Sequence, residues 1–509
     1  MNDVVIPRRS GGVTRKSFDE LRHDSQSHSL NRTLGTAQLV FFGVGCIIGS
    51  GIFVLTGNAA ASFAGPAVLI SFVLAGLACG FAALCYAELA STVPVPGSAY
   101  SYAYAALGEE AAWTTGWLMV LEYGIATALV AVGFSGYFTS LLHDFGIALP
   151  ASLTTPFVTS TSTAAGVVFS TGPRVNTVAA AGVLLAAALL TRGVALSAAI
   201  NSVIVVVKVG VLLLFVGIGV WWVEPANWTP FVPPNEGGFT YGWPGVVRAA
   251  SMIFFAYVGF ETVSTAAAEA RDPQRSLPIG ILGAMLICTV LYMAVAAVLT
   301  GIVPFRQLGV PDPIAVAVNA MKLPWFAIVV KLGAVIGLCS VMLTSLYGQT
   351  RVFYAISHDG LLPATFGRVD PRSRTPRSGT IIVGIAVALA AALLPITVLS
   401  DLVSLGTAFS FIMVCTSVIW LRNTQPQLPR PFRVPLGGIR IRGTWIGTTP
   451  LLGILFCVLM IVPLVLDVSS KALHGNTLPA CLLAGYAAIG AAIYLGYGRR
   501  HSFIRRKGS

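Results

Sequence analysis

Charged residues are scarce in this chain. Of its 509 residues, 10% are Asp, Glu, Lys or Arg, and only 19 are acidic, whereas a soluble domain carries roughly 25% charged residues. Hydrophobic residues make up 56% of the chain, and the mean hydropathy is +0.82. A soluble fold would have too little polar surface to cover them, so the composition excludes a soluble enzyme, a disordered chain and a small disulfide scaffold. It predicts an integral membrane protein.

Cysteine and histidine are few and lack the spacing of chemical sites. All eight cysteines lie in apolar runs, and the six histidines lie in tails or loops. The sequence contains no phosphate-cradling loop, zinc motif or Gly-x-Ser-x-Gly elbow. We therefore expect no cofactor, no metal site and no enzymatic activity, and the missing nucleotide loop argues against a primary pump.

Long apolar runs, each able to cross about 30 Å of hydrocarbon, recur from residue 37 onward. They predict twelve transmembrane helices, near 37–61, 67–92, 111–141, 176–195, 199–222, 245–268, 278–302, 325–353, 379–396, 401–421, 449–468 and 478–497. No apolar stretch with a cleavage site precedes them, so we expect no cleaved signal peptide.

The positions of the basic residues predict the orientation. The net charge is +12, which raises the question of nucleic-acid binding. However, most of the 31 Lys and Arg residues fall in the tails and the loops on the same side as the N-terminus. The opposite loops hold only Arg174, Arg306, Lys322 and Lys471. This bias predicts both termini in the cytoplasm and a multi-pass protein of the cell (inner) membrane. Anionic lipid is then the expected partner of the basic loops, and no nucleic acid is expected.

Glycines cluster in the first predicted helix, at positions 43, 45, 49 and 51. Each costs about 0.8–1.0 kcal/mol in a helix interior relative to Ala. The spacing of Gly45 and Gly49 also fits a helix-packing face. Gly49-Ser50-Gly51 cannot share one face, because consecutive residues point in different directions. The run therefore favours local unwinding.

A weaker interruption lies in the sixth predicted helix, at Gly259, with Glu261 just beyond it. Two broken helices in matching positions of two five-helix halves are typical of an inverted-repeat secondary transporter. The half-helix that follows Gly51 offers free N–H groups to an anion. Unwound carbonyls near Ile47 and in 255–258 offer acceptors to a cation. Together they match a zwitterion.

Two charged residues lie deep in predicted helices. Lys208 is in the fifth, where burying a charge costs at least about 2.5–3.5 kcal/mol. It either snorkels to the cytoplasmic headgroups or serves a proton-coupling function, which desolvation supports because it favours the neutral amine. Glu122 in the third is either a protonated structural carboxyl, a relay partner of Lys208, or a countercharge for a cationic substrate.

Several motifs carry a family resemblance. They are Ile48-Gly49-Ser50-Gly51-Ile52-Phe53, Tyr86-Ala87-Glu88-Leu89, Pro94-Val95-Pro96-Gly97-Ser98-Ala99-Tyr100-Ser101-Tyr102, Phe255-Ala256-Tyr257-Val258-Gly259-Phe260-Glu261, Asp272-Pro273-Gln274-Arg275-Ser276-Leu277-Pro278, Tyr347-Gly348-Gln349-Thr350-Arg351 and His358-Asp359-Gly360-Leu361-Leu362-Pro363. Together they resemble the amino acid–polyamine–organocation (APC) superfamily, most closely its cationic amino acid transporter branch in the bacterial twelve-span form.

The resemblance implies an all-α membrane fold of the leucine-transporter type, with helices 1 and 6 broken. A cytoplasmic tail at 1–36 would precede two inverted five-helix repeats at 37–222 and 245–421. Helices 11 and 12 would follow at 449–497, then a cytoplasmic tail at 498–509. We expect a monomer.

The resemblance also implies the roles of individual residues. The substrate carboxylate would meet the amides of Gly49, Ser50 and Gly51, and the ammonium would meet carbonyls of Ile47, Phe255, Ala256 and Val258. In proton-coupled members, a lysine at the position of Lys208 takes the place of a bound sodium ion. The branch commonly has Glu at the position of Glu122.

The predicted function is secondary-active, proton-coupled import of cationic and/or small neutral L-amino acids. The alternative is an uncoupled facilitator or exchanger of the same fold. The substrates are amino acids and protons.

Overall fold

The computed structural model describes residues 34–92, 98–163, 166–193, 198–266, 270–371, 375–473 and 477–503. The predicted N-terminal tail up to residue 33 lies outside these ranges, as do residues 504–509 of the predicted C-terminal tail. Within them the fold is helical, apart from two short β-hairpins.

The helices in chain order are α1 (Thr36–Ile47), α2 (51–64), α3 (Val68–Thr92), α4 (Ser98–Ala106), α5 (Glu109–Asp144), α6 (Ala151–Thr154), α7 (Thr177–Thr191), α8 (Ala198–Gly219), α9 (Gly242–Ile253), α10 (Thr262–Thr265), α11 (Pro273–Ile302), α12 (Pro313–Ala320), α13 (Pro324–His358), α14 (Arg377–Leu393), α15 (Ile396–Thr424), α16 (Thr448–Leu473) and α17 (Leu478–His501). Single 3₁₀ turns lie at Gly65–Ala67, Val220–Trp222, Pro225–Trp228, Phe254–Tyr257 and Phe305–Gln307.

The strands form two antiparallel hairpins that the sequence analysis did not predict. In the first, β1 (Val158–Thr163) pairs with β2 (Gly166–Thr171), with Val158 opposite Thr171. In the second, β3 (Gly438–Ile441) pairs with β4 (Thr444–Gly447). Both lie in connections between apolar helices, where short strands leave the helical core unchanged.

Among the described residues, nine helical stretches are long and apolar enough to cross a membrane. The first of these, Gly51–Thr92, contains a turn at Gly65–Ala67, where Gly65 has φ of +59°. Three further apolar helices, α1, α7 and α14, are shorter. The protein is thus a multi-pass helical membrane protein. The number of spans and the inverted repeat stay predictions.

Helix starts follow local chemistry. Proline opens α11, α12 and α13, where its missing N–H is not needed and its fixed φ suits a first turn. The side chain of Asn176 caps α7 by accepting from the N–H of Ala179 at 3.0 Å, as expected of an N-cap residue. The buried core runs through α1, α3, α5, α9, α11, α13 and α15.

Candidate substrate and coupling site

The first apolar segment is interrupted inside its glycine-rich run. Helix α1 ends at Ile47, and Ile48 has extended backbone angles (φ −71°, ψ 99°). Helical geometry returns at Ser50, and a π-helical turn follows over Gly51–Leu55. At the start of a helix the first N–H groups have no carbonyl partner one turn earlier. The interruption thus places the predicted carboxylate-binding amides at a helix N-terminus.

Ser50 lies at this N-terminus with a buried side chain. It is 1% exposed. Its hydroxyl has no hydrogen-bond partner among the described residues. Because buried hydroxyls are nearly always paired, the side chain is available to a ligand that reaches the N–H groups of α2.

A second interruption follows α9. A 3₁₀ turn over Phe254–Tyr257 leads to extended Val258 (φ −60°, ψ 138°). Gly259 has φ of +122°, which only glycine adopts readily. Helical geometry returns at Thr262. The predicted ligands Phe255, Ala256 and Val258 therefore lie in non-α backbone.

The two interruptions lie against each other. A Cβ at Gly51 would overlap Cα of Ala256, and a Cβ at Gly259 would lie 2.6 Å from the carbonyl carbon of Cys46. Neither position has room for a side chain, so glycine at 51 and 259 lets the backbones touch. The structure thus brings the predicted residues of both breaks together.

Some predicted ammonium-binding carbonyls already accept a hydrogen bond. The carbonyl of Ile47 accepts from the hydroxyl of Tyr292 at 2.8 Å, and that of Phe255 accepts from the N–H of Val258 at 2.9 Å. A carbonyl oxygen has two lone pairs, so each can accept once more. Tyr292, which the sequence analysis did not single out, therefore orients one of the acceptors.

Lys208 reaches the first interruption from α8. Its ammonium donates to the carbonyls of Gly45 at 3.0 Å and Ile48 at 3.1 Å. The side chain is 1% exposed. Gly337 of α13 allows its close packing, since a Cβ there would lie 3.1 Å from Cγ of Lys208. The lysine side chain does not snorkel in this structure, because carbonyls at the break bind its ammonium.

Glu122 lies in a π-helical turn of α5, Val120–Ile125, a deviation that often occurs at functional sites. It is 1% exposed, and neither carboxyl oxygen has a hydrogen-bond partner among the described residues. The structure gives it no hydrogen bond or ion pair with Lys208. The next residue, Tyr123, instead donates to Glu261 at 3.3 Å, and Glu261 accepts from the N–H of Gly259 at 2.8 Å.

Further buried polar groups, on the two helices that pack against the turn containing Glu122, were not predicted. Both amide atoms of Gln349 on α13, and the hydroxyls of Thr407 and Ser410 on α15, lack partners within the part of the chain that the structure describes. A Cβ at Gly124 would lie 3.5 Å from Oε1 of Gln349. The sequence signal for these residues is a polar side chain within an apolar run. Their side-chain contacts depend on how the helices pack, which the sequence does not show.

Comparison with known proteins identifies the family. The family model described as amino acid permease matches residues 34–488. A methylthioribose transporter of Bacillus subtilis is 40% identical over 492 residues, covering 97% of this chain and 99% of that protein. The branched-chain amino acid permease BcaP of the same organism is 41% identical over 499 residues, covering 97% and 100%. The vacuolar cationic amino acid transporter 4 of Arabidopsis thaliana is 36% identical over 417 residues, covering 82% and 68%.

Two broken apolar segments that meet at glycines, and similarity along nearly the whole chain, lead to one conclusion: the chain belongs to the amino acid permease family of the APC superfamily, and its function is amino acid transport across a membrane.

Proposed function

We propose that this permease is a secondary-active importer that moves an amino acid together with a proton. The observation that carries the proposal is the position of Lys208, whose ammonium donates to two carbonyls of the first break. A cation at that point stabilises unwound backbone that lipid cannot satisfy. Losing its proton would remove the charge and weaken both hydrogen bonds.

The substrate site in this proposal lies beside the contact between the two breaks. The amides of Gly49, Ser50 and Gly51, with the helix dipole of α2, bind the carboxylate. The carbonyls of the Ile47 and Phe255–Val258 segments accept from the ammonium. The close approach of Gly51 to Ala256 supports this, because one small zwitterion can then span both breaks.

Coupling in this proposal follows from what the Lys208 charge does to α1. When protonated, the lysine holds the carbonyls of Gly45 and Ile48 and keeps the carboxylate site in shape. When neutral, it releases α1 and favours return of the empty carrier. An uncoupled facilitator or exchanger would share the site but not need this titration.

The substrate class stays broad in this proposal: cationic amino acids, small neutral ones, or both. Relatives of similar identity carry names that refer to branched-chain amino acids, cationic amino acids and methylthioribose. In this proposal Glu122 serves as a countercharge for the substrate or as a proton relay, because leaving a buried carboxyl unpaired is costly. A competition panel of the twenty amino acids and methylthioribose identifies the preferred class.

The architecture in this proposal has twelve spans. The short helices α1, α7 and α14 each contribute to one span beside the longer ones. The spans form inverted repeats at 37–222 and 245–421, followed by a pair at 449–497. Both termini lie on the cytoplasmic side of a cell (inner) membrane, and the basic loops contact anionic lipid there. The protein acts as a monomeric transporter rather than as an enzyme.

Uptake into liposomes tests the function. Purified protein is reconstituted, and radiolabelled Ala or Arg is offered with and without an inward proton gradient. Accumulation above the outside concentration, only with the gradient, is the expected result. Equal equilibration under both conditions would contradict proton coupling and favour the facilitator. Uptake that occurs only when unlabelled amino acid is present inside the liposomes would favour the exchanger.

A further inference from the structure

A cavity of about 400 Å³ lies where α17 packs beside α5 and α13. Its lining is apolar or aromatic throughout, with rings from Trp117 of α5, Phe353 of α13, Phe366 of the following loop and Tyr497 of α17. The indole N–H of Trp117 donates to the carbonyl of Tyr486 at 3.1 Å. The one polar group of that ring is therefore already satisfied, and the cavity suits a hydrocarbon ligand.

The cavity borders the lipid-facing side of α17. On this helix Ile489 is 56% and Leu495 is 59% exposed, which in a membrane protein means contact with acyl chains. Gly496 lines the cavity, and a Cβ built on it would meet nothing within 4 Å. A lipid chain can thus approach along α17 without displacing a side chain.

Basic residues follow the lining residues closely in sequence. Arg499 and Arg500 come just after Tyr497, and Arg368 comes two residues after Phe366; all three are exposed. None forms an ion pair with another described residue. A carboxylate also packs at this end of α17: Glu109 accepts from the hydroxyls of Tyr494, at 3.1 Å, and Ser502. Glu109 is buried, and its neighbour Glu110 is exposed, so three exposed arginines stand against one exposed carboxylate at this end and leave it net positive.

We propose that this cavity is a binding site for an anionic glycerophospholipid. One acyl chain occupies the aromatic cavity, and the phosphate headgroup lies at Arg499 and Arg500. The basic rim selects an anionic headgroup over a zwitterionic one, because each Lys or Arg near the surface adds attraction for negative lipid. Tyr and Trp suit this depth, since their rings prefer the membrane–water interface. The site goes beyond the transport function and does not depend on it.

Lipid retention tests the proposal. The full chain is delipidated in mild detergent and mixed with equal amounts of phosphatidylglycerol and phosphatidylcholine of the same acyl chains. Bound lipid is then counted by native mass spectrometry. Wild-type protein should retain phosphatidylglycerol at least about tenfold better. Equal retention of the two lipids would mean nonspecific boundary lipid and overturn the proposal.

Two substitutions on one helix give a matched pair. Gly496→Trp places a ring in the cavity and should abolish most phosphatidylglycerol retention. Gly485→Trp is the control, because a Cβ at Gly485 also meets nothing within 4 Å and Gly485 does not line the cavity. It should bind lipid as the wild type does. Retention by Gly496→Trp equal to that of the control would overturn the cavity assignment.

The rim is tested separately on side chains that are exposed, so folding is not at risk. The double variant Arg499→Gln, Arg500→Gln should retain phosphatidylglycerol no better than phosphatidylcholine. An unchanged preference would overturn the headgroup assignment. Uptake of amino acids is not part of this readout, so failure of the lipid site and failure of the transport proposal are distinguishable.

Discussion

The guanidinium of Arg248 donates to both carboxylate oxygens of Asp401, at 2.8 and 2.7 Å, and joins α9 to α15. It also donates from Nε to Asp467 of α16 at 3.1 Å and lies 4.7 Å from the ring centroid of Phe63. Arg248 is 1% exposed. Since α9 leads into the second break, one buried cation connects the backbone of the candidate site to two later helices.

Removing this cation should cost more stability than removing an exposed one. Arg248→Ala leaves Asp401 without this ion pair and Asp467 with only Lys471, in a largely buried site. It should lower the free energy of unfolding by about 3–5 kcal/mol. Arg306→Ala is the control, since its ion pair with Glu236 is 59% and 38% exposed and such pairs contribute roughly 0–1 kcal/mol. Thermal unfolding in detergent compares the two. Equal shifts would mean that the Arg248 network is not a structural connection.

The sequence predicted the membrane class, the glycine-rich interruption and the depth of Lys208, because each depends on local composition. It did not predict the ion pairs of Arg248. Asp401 and Asp467 are 153 and 219 residues away, and no local pattern encodes such a pairing. The two hairpins were also missed, since short strands in loops carry little periodic signal.

Gradient-driven accumulation should depend on Lys208. Lys208→Ala removes the hydrogen bonds to Gly45 and Ile48 and the group proposed to titrate. It should abolish accumulation and leave some binding or exchange. Lys208→Arg keeps a charge but does not deprotonate in the working range, so it should also fail to couple. Wild-type uptake should be high at acidic outside pH and fall as pH rises.

The readout for Lys208 is paired uptake and counterflow in liposomes. Substrate binding by Lys208→Ala, measured in detergent, shows that the variant still folds. Full accumulation by Lys208→Ala with the wild-type pH dependence would remove the coupling role.

The first break should tolerate loss of a hydroxyl better than gain of a side chain. Gly51→Leu pushes against the backbone of Ala256 and should abolish uptake, whereas Ser50→Ala should mainly weaken binding because the amides remain. Gly49→Ala should reduce uptake less than Gly51→Leu, since the three atoms nearest to its Cβ all belong to the Val341 side chain, the first at 3.2 Å.

Gly210→Leu is the matched control for these glycine variants, since a Cβ there meets nothing within 4 Å. It should transport normally at equal expression. Normal substrate binding by Gly51→Leu would show that the carboxylate does not bind at this break.

Glu122→Gln should separate substrate recognition from scaffolding. The substitution keeps the size and hydrogen-bonding capacity of the side chain but removes its negative charge. If the carboxylate neutralises a cationic side chain, a hydrogen bond to a charged group is lost, worth about 1.5–3 kcal/mol. We therefore expect Arg transport to fall at least about tenfold more than Ala transport. Gln349→Ala is the companion variant, because it removes an unpaired buried amide from α13, which packs against the turn containing Glu122, without changing any charge. It should affect both substrates alike. Equal losses of Arg and Ala transport in Glu122→Gln would instead assign the carboxyl to a proton relay or to the packing of α5 against α15. Gly406 of α15 lies within van der Waals reach of the Glu122 backbone at that packing contact.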